Sequence, residues 1–284
     1  MRIWVFMFLF FSSYSWAGIW PQYEAEKIFT NLIGDCEEVI DPDKTRECAN
    51  LNVNLLESET KSKVYEAELI IDLDKKTEYK STLKNNLKEA LGEWNIFTNS
   101  YCELKNSGGF PDKKDEKLII DLCKVQSSTL INSFLDKFIS FQKEKLLAQF
   151  ESSVHHSKYY EASYKLLKHK DHIDCAVHKA LPTCIYDELK KIKLKRISNK
   201  EEFVRGLRWI SKESETEANV AIEQFDLFEK VMDSSSNFIS NFCVLVNPNH
   251  IDNSYLELEC TRDGYKFFDL LLEIWNDNHH WGFE

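Results

Sequence analysis

Eight cysteines constrain this chain more than any other feature. They stand at positions 36, 48, 102, 123, 175, 184, 243 and 260. The last four follow the first four at offsets of 139, 136, 141 and 137 residues. Such offsets predict a four-cysteine unit used twice, 18–150 and 151–284, behind a leader. The leader is MRIWVFMFLFFSSYSWAG: Arg2, an apolar run from Ile3 to Phe11, then Ser15 and Ala17 placed for cleavage after residue 17. That is the pattern of a secretory signal peptide, so residues 1–17 are expected to be removed. Its apolar run is short for a membrane span. No later stretch is apolar enough to cross a bilayer, so the expectation is a periplasmic or secreted protein with no span in the mature chain. An even cysteine count in an exported chain predicts disulfides.

The spacing between the cysteines is helical. Leu83, Leu87, Leu91, Trp94, Phe97 and Tyr101 recur three or four apart, an apolar stripe on one amphipathic helix. Upstream, Leu51, Leu55, Val64, Tyr65, Leu69 and Leu73 form a rougher stripe, and the two runs predict an antiparallel hairpin turning near residues 73 to 78. A third run extends from Leu130 through Phe141 to Phe150. In the second unit Ile222, Phe225, Val231, Phe238 and Phe242 parallel the Trp94 stripe, and Ser198 with Glu201 has the spacing of a capping box at a helix start. Glycine (8) and proline (5) are too scarce for a many-turned β-sandwich. The expected fold is all-α: two tandem helical-hairpin units, each stapled by disulfides, packed together or sharing the helix that joins them. Local cysteine pairs are favoured: Cys36–Cys48, Cys102–Cys123, Cys175–Cys184 and Cys243–Cys260. The rival is Cys48–Cys102, which would clamp the hairpin's open end directly.

These residues resemble the N-terminal domain of the LprI-type lysozyme inhibitors, a small four-cysteine helical domain of exported bacterial proteins. The resemblance covers roughly residues 30 to 140. It rests on Cys36, Cys48-Ala49-Asn50, Trp94, Phe97, Cys102, Gly108-Gly109 and Cys123. Thr98 and Asn132 stand near positions where that family carries arginine, and Ser235 takes the tryptophan position of the second unit. The resemblance implies inhibition of a lysozyme, whose cleft holds two acidic groups. A stapled loop of Asn106, Ser107, Gly108, Gly109 and Phe110 would suit insertion there. The plainer account of that loop is a connector whose glycines permit positive φ.

Charge bears on the partner. Without the leader the chain carries 35 Lys and Arg against 47 Asp and Glu, a net charge of −12. Nucleic acid needs a basic footprint, so it is not expected as a partner. A cationic protein such as a lysozyme is the natural complement, drawn in by electrostatic steering, although acidity also serves solubility alone. The same data fit an envelope interaction or scaffold protein with no enzyme target. No cofactor is expected. His169, His172, Cys175 and His178 lie three apart, a spacing that drifts around a helix and does not converge on a metal. His155-His156 and His279-His280 read as surface pairs. No GxSxG, HExxH or P-loop pattern occurs, and the cysteines are taken by disulfides, so no enzyme is expected.

Overall fold

A computed structural model describes residues 42–73, 77–107, 113–150, 181–210, 215–245 and 254–277. Each range is one α-helix: α1 (Pro42–Leu73), α2 (Thr77–Ser107), α3 (Lys113–Phe150), α4 (Leu181–Ile210), α5 (Glu215–Leu245) and α6 (Ser254–Asp277). Among the described residues there is no strand, and the fold is all-α. Pro42 opens α1, where its fixed φ suits the first helical turn and no N–H is missed. Asp43 in that first turn meets the positive end of the helix dipole and also holds Arg46 at 3.2 Å. Glu257 has the same place in α6. No described helix is long and apolar enough to cross a membrane.

Two disulfides join the described helices. Cys102–Cys123 links the end of α2 to the start of α3, and Cys243–Cys260 links the end of α5 to the start of α6. The first of these removes Cys48–Cys102 as an alternative. Cys48 is itself disulfide-bonded. Cys36 and Cys175, needed for the other two local pairs, lie outside the described residues, as do the leader, the segment 151–180 and all eight histidines.

The helices pack differently from a simple hairpin. The most extensive contact is between α2 and α5, one from each side of residue 150, followed by α1 with α3. α1 touches α2 only lightly, so the predicted pairing of the first two runs is replaced by a α1–α3 pairing. The reason lies in which face of α1 is inward. Ala49, Ala67, Ile70 and Ile71 are buried, whereas Leu51, Leu55, Tyr65, Leu69 and Leu73 are exposed. Of that predicted stripe only Val64 packs on the core; the other five side chains point away from it. Its periodicity located a face without saying what covers it.

Trp94, Phe97 and Tyr101 are buried, as a core stripe requires. Trp94 packs against Phe134 of α3, Phe238 of α5 and Phe268 of α6, with ring centroids 5.5, 5.1 and 6.1 Å away. Phe134 in turn meets Phe242 and Phe267. Edge-to-face and tilted rings at these distances gain quadrupole attraction beyond the area they bury. Aromatic rings from both sides of residue 150 thus form one continuous core. The buried cluster draws on α1, α2, α3, α5 and α6, while α4 adds only Phe203 to its margin. In α5, Val231, Phe238 and Phe242 are buried as expected, but Ile222 is exposed. Ser198 lies in the middle of α4 and does not begin a helix, because α4 already runs unbroken from Leu181.

Candidate functional site

The stapled end of the first half carries the sequence-predicted loop. Asn106 closes α2 four residues after the Cys102 staple, and its Oδ1 atom is buried with no hydrogen-bond partner. The side chain of Ser107 and the whole of Gly108, Gly109 and Phe110 lie outside the described residues. Lys105, the basic residue of the last turn of α2, is held below the usual lysine pKa by burial.

Positions 98 and 132 both turn inward. Thr98 Oγ1 and Ser127 Oγ lie 2.6 Å apart in the buried seam between α2 and α3. Thr60 Oγ1 donates to Asn132 Oδ1 at 2.7 Å, and Asn132 Nδ2 donates to the Leu56 carbonyl at 3.3 Å, tying α1 to α3. Both residues are therefore structural: buried polar groups, each satisfied by a partner on a neighbouring helix. Beside them Lys63 reaches Glu59 and Asp136. Burial works against its charge, but these two carboxylates outweigh it and raise its pKa.

The surface feature that sequence periodicity misassigned is the outer face of α1. At 100° per residue, Leu51, Leu55, Tyr65, Leu69 and Leu73 fall within an arc of about 80° and run for about 33 Å along the helix. Between them on the same arc stand Ser58 and Ser62, both exposed. Single exposed leucines need no explanation, but five on one ridge do. The ridge is flanked by Glu47, Glu59, Glu66, Glu68 and Asp72. Three of these also hold lysines: Glu59 with Lys63, Glu66 with Lys143 and Asp72 with Lys84. The helix carries seven Asp and Glu against four Lys and Arg, a net charge of −3.

The opposite flank is built differently. α4 carries eight Lys and Arg against four Asp and Glu, a net charge of +4 in a chain of net −11. Arg196 and Lys200 are among its basic residues with partners in the fold. Arg196 is buried, donating to Ser235 Oγ at 2.8 Å and ion-paired with Asp269 at 3.5 Å, with its guanidinium over the Tyr265 ring. Lys200 holds Glu229. From α6 the fully buried Arg262 gathers Glu188, Glu259 and Asp263. Desolvation opposes its charge, yet the three carboxylates prevail and hold its pKa above the usual arginine value. Among the described residues no group of three or more His, Cys, Asp or Glu is placed to hold a metal ion.

Between the end of α4 and the start of α5 lies an open apolar groove of about 400 Å3, lined by Val204, Leu207, Arg208, Ala218, Ala221, Ile222 and Phe225. Comparison with protein-family models, curated proteins and solved structures finds no match to this chain.

Proposed function

We propose that the chain is an exported binding protein that engages a cationic protein through the outer face of α1. The observation that carries this reading is the exposed ridge of Leu51, Leu55, Tyr65, Leu69 and Leu73 on a helix of net charge −3. An apolar centre with an acidic border is the usual anatomy of a protein-docking patch. The acidity steers a basic partner toward it, and the leucines hold the partner once water is expelled. The target class is a lysozyme, as the resemblance to the LprI-type inhibitors implies, and inhibition follows from steric obstruction of its substrate cleft. The loop 106–110 is the element assigned to that cleft, and the Cys102–Cys123 staple near its root supports this by limiting the ordering entropy lost on binding.

The test is a lysis assay with the oxidised protein against several lysozyme types. Inhibition is expected, weakening as salt is raised. The double variant Leu55→Asp, Leu69→Asp should retain its helical signal and lose at least tenfold in potency. Deleting Ser107 to Phe110 should abolish inhibition while leaving binding measurable. A protein inert against every lysozyme type at micromolar excess would overturn the assignment. It would favour a scaffold role in the envelope.

A further inference from the structure

We propose that α4 and the groove at its end attach this protein to anionic phospholipid surfaces. Three observations on one flank converge.

The first is charge. α4 is the most basic of the described helices in an acidic chain, and Lys190, Lys191, Lys193 and Lys195 are exposed within six residues of it. The second is what lies among those lysines. Tyr186, Leu194 and Ile197 are between 56% and 59% exposed, where a purely solvated helix would carry polar groups. A helix with lysines and large apolar side chains on the same outward side has the composition of one that lies in a membrane interface. The lysine stems reach up to phosphate while the apolar groups sink below it. α4 can face outward in this way because it is the helix least committed to the core.

The third is the groove. Val204 and Arg208 fall on the same angular face of α4 as Tyr186, Lys190 and Ile197, so the lysine-bearing face leads directly into it. Its walls are apolar apart from Arg208, and Ile222 stands 60% exposed at its edge. Shape and chemistry suit an acyl chain, with Arg208 at the mouth where a phosphodiester would sit.

Anionic lipid is favoured over an acidic peptide because the exposed lysines stand among the exposed Tyr186, Leu194 and Ile197 on a face that continues to the apolar groove. A lipid surface offers headgroup charge and apolar depth together. The bound state would leave the α1 ridge to its own partner, so this inference goes beyond the binding function proposed above.

The experiment is vesicle flotation with the full mature chain. One set of vesicles is phosphatidylcholine alone and the other is phosphatidylcholine with an equal part of phosphatidylglycerol. Binding to the anionic set is expected to exceed the neutral set at least tenfold and to fall as salt is raised. Lys190→Glu with Lys193→Glu should cost at least about twentyfold, from roughly fivefold per basic residue at a charged surface. Ile222→Asp should weaken binding while leaving the lysine-dependent part intact. Leu55→Asp with Leu69→Asp should float like the wild type, which separates this test from that of the α1 ridge. Far-UV circular dichroism checks that each variant is folded. Equal binding to both vesicle types, no binding to either, or full binding by the double lysine variant overturns the proposal. So does tighter binding to a polyglutamate peptide than to the anionic vesicles.

Discussion

The two sides of residue 150 solve one packing problem with different chemistry. Carrying the cysteine offsets along the helices matches Thr60 with Arg196, Trp94 with Ser235 and Asn132 with Asp269. In the first half Thr60 donates to Asn132 at 2.7 Å, and Trp94 sits close by in the aromatic core. In the second half Arg196 is ion-paired with Asp269 at 3.5 Å and donates to Ser235 at 2.8 Å. A neutral hydrogen bond and an indole on one side answer to an ion pair and a serine on the other. The serine gives up the indole's volume, and a guanidinium comes in to bond it. Ser234, Ser235 and Ser236 tolerate the helix interior because each returns a bond to a carbonyl three or four residues back. The comparison teaches that one task, joining α1 to α3 and α4 to α6, is met by a neutral hydrogen bond on one side and by an ion pair on the other.

The largest effect expected concerns whether the halves are separable at all. Trp94 touches Phe134 in its own half and Phe238 and Phe268 in the other. Trp94→Ala should cost about 3–5 kcal/mol, the range for truncating a buried aromatic. More to the point, wild type and variant should each unfold in one cooperative step, with near-UV and far-UV signals coincident. Two separate transitions would break the view of a shared core and restore two independent units.

A smaller effect sharpens the chemical contrast. Arg196→Ala removes a buried guanidinium together with its bond to Ser235 and its ion pair with Asp269, and should cost about 3 kcal/mol, the order for breaking a buried pair. Thr60→Ala at the matched position removes one neutral hydrogen bond and should cost about 1 kcal/mol. Urea midpoints of the two variants measure this directly. Equal losses would mean that the ion pair contributes no more than the neutral bond and that the two sites are alike in more than position. The direction of the Arg196 shift moderates the contrast. Burial lowers its pKa despite Asp269, so removing the guanidinium also relieves a desolvation cost that offsets part of the loss.

How far the sequence foretold this depends on what covers each face. The α2 stripe of Trp94, Phe97 and Tyr101 was legible because its period is strict and aromatic, and such a face is rarely left in water. Cys102–Cys123 and Cys243–Cys260 were legible from spacing, since each closes a short segment between helix ends. The outer ridge of α1 was not. Leu51, Leu55, Leu69 and Leu73 have the same spacing as a core stripe, and only three-dimensional packing shows that α3 takes the alanine and isoleucine face instead. The basic face of α4 was hidden by averaging: its net charge of +4 disappears into a chain total of −11. Summing charge by helix would have exposed it. The start of α4 was misplaced at Ser198 because a capping-box spacing also occurs in helix interiors, where Ser198 is simply exposed.

The finest distinction between the halves lies at Tyr101, matched by Phe242 across the same offset. The rings take comparable places, but only Tyr101 carries a hydroxyl, which donates to the Leu271 carbonyl at 3.1 Å in the other half. Tyr101→Phe makes the two positions identical and should cost about 1 kcal/mol at neutral pH, the worth of one such bond. Burial also raises the Tyr101 pKa well above its usual 10.0. The unfolded chain then loses its phenolic proton near pH 10 while the folded chain keeps it, so the stability contributed by the buried neutral phenol falls as pH rises beyond 10. Lys105 acts in the opposite sense, because burial lowers its pKa from 10.5 and stability is gained as pH climbs toward that value. Subtracting the variant's pH profile from the wild type's cancels Lys105 and leaves the tyrosine alone. The difference should be flat up to about pH 9 and should decline above 10. A flat difference through pH 11 would mean that the hydroxyl reaches water, and that the bond between the halves at Leu271 is not sealed.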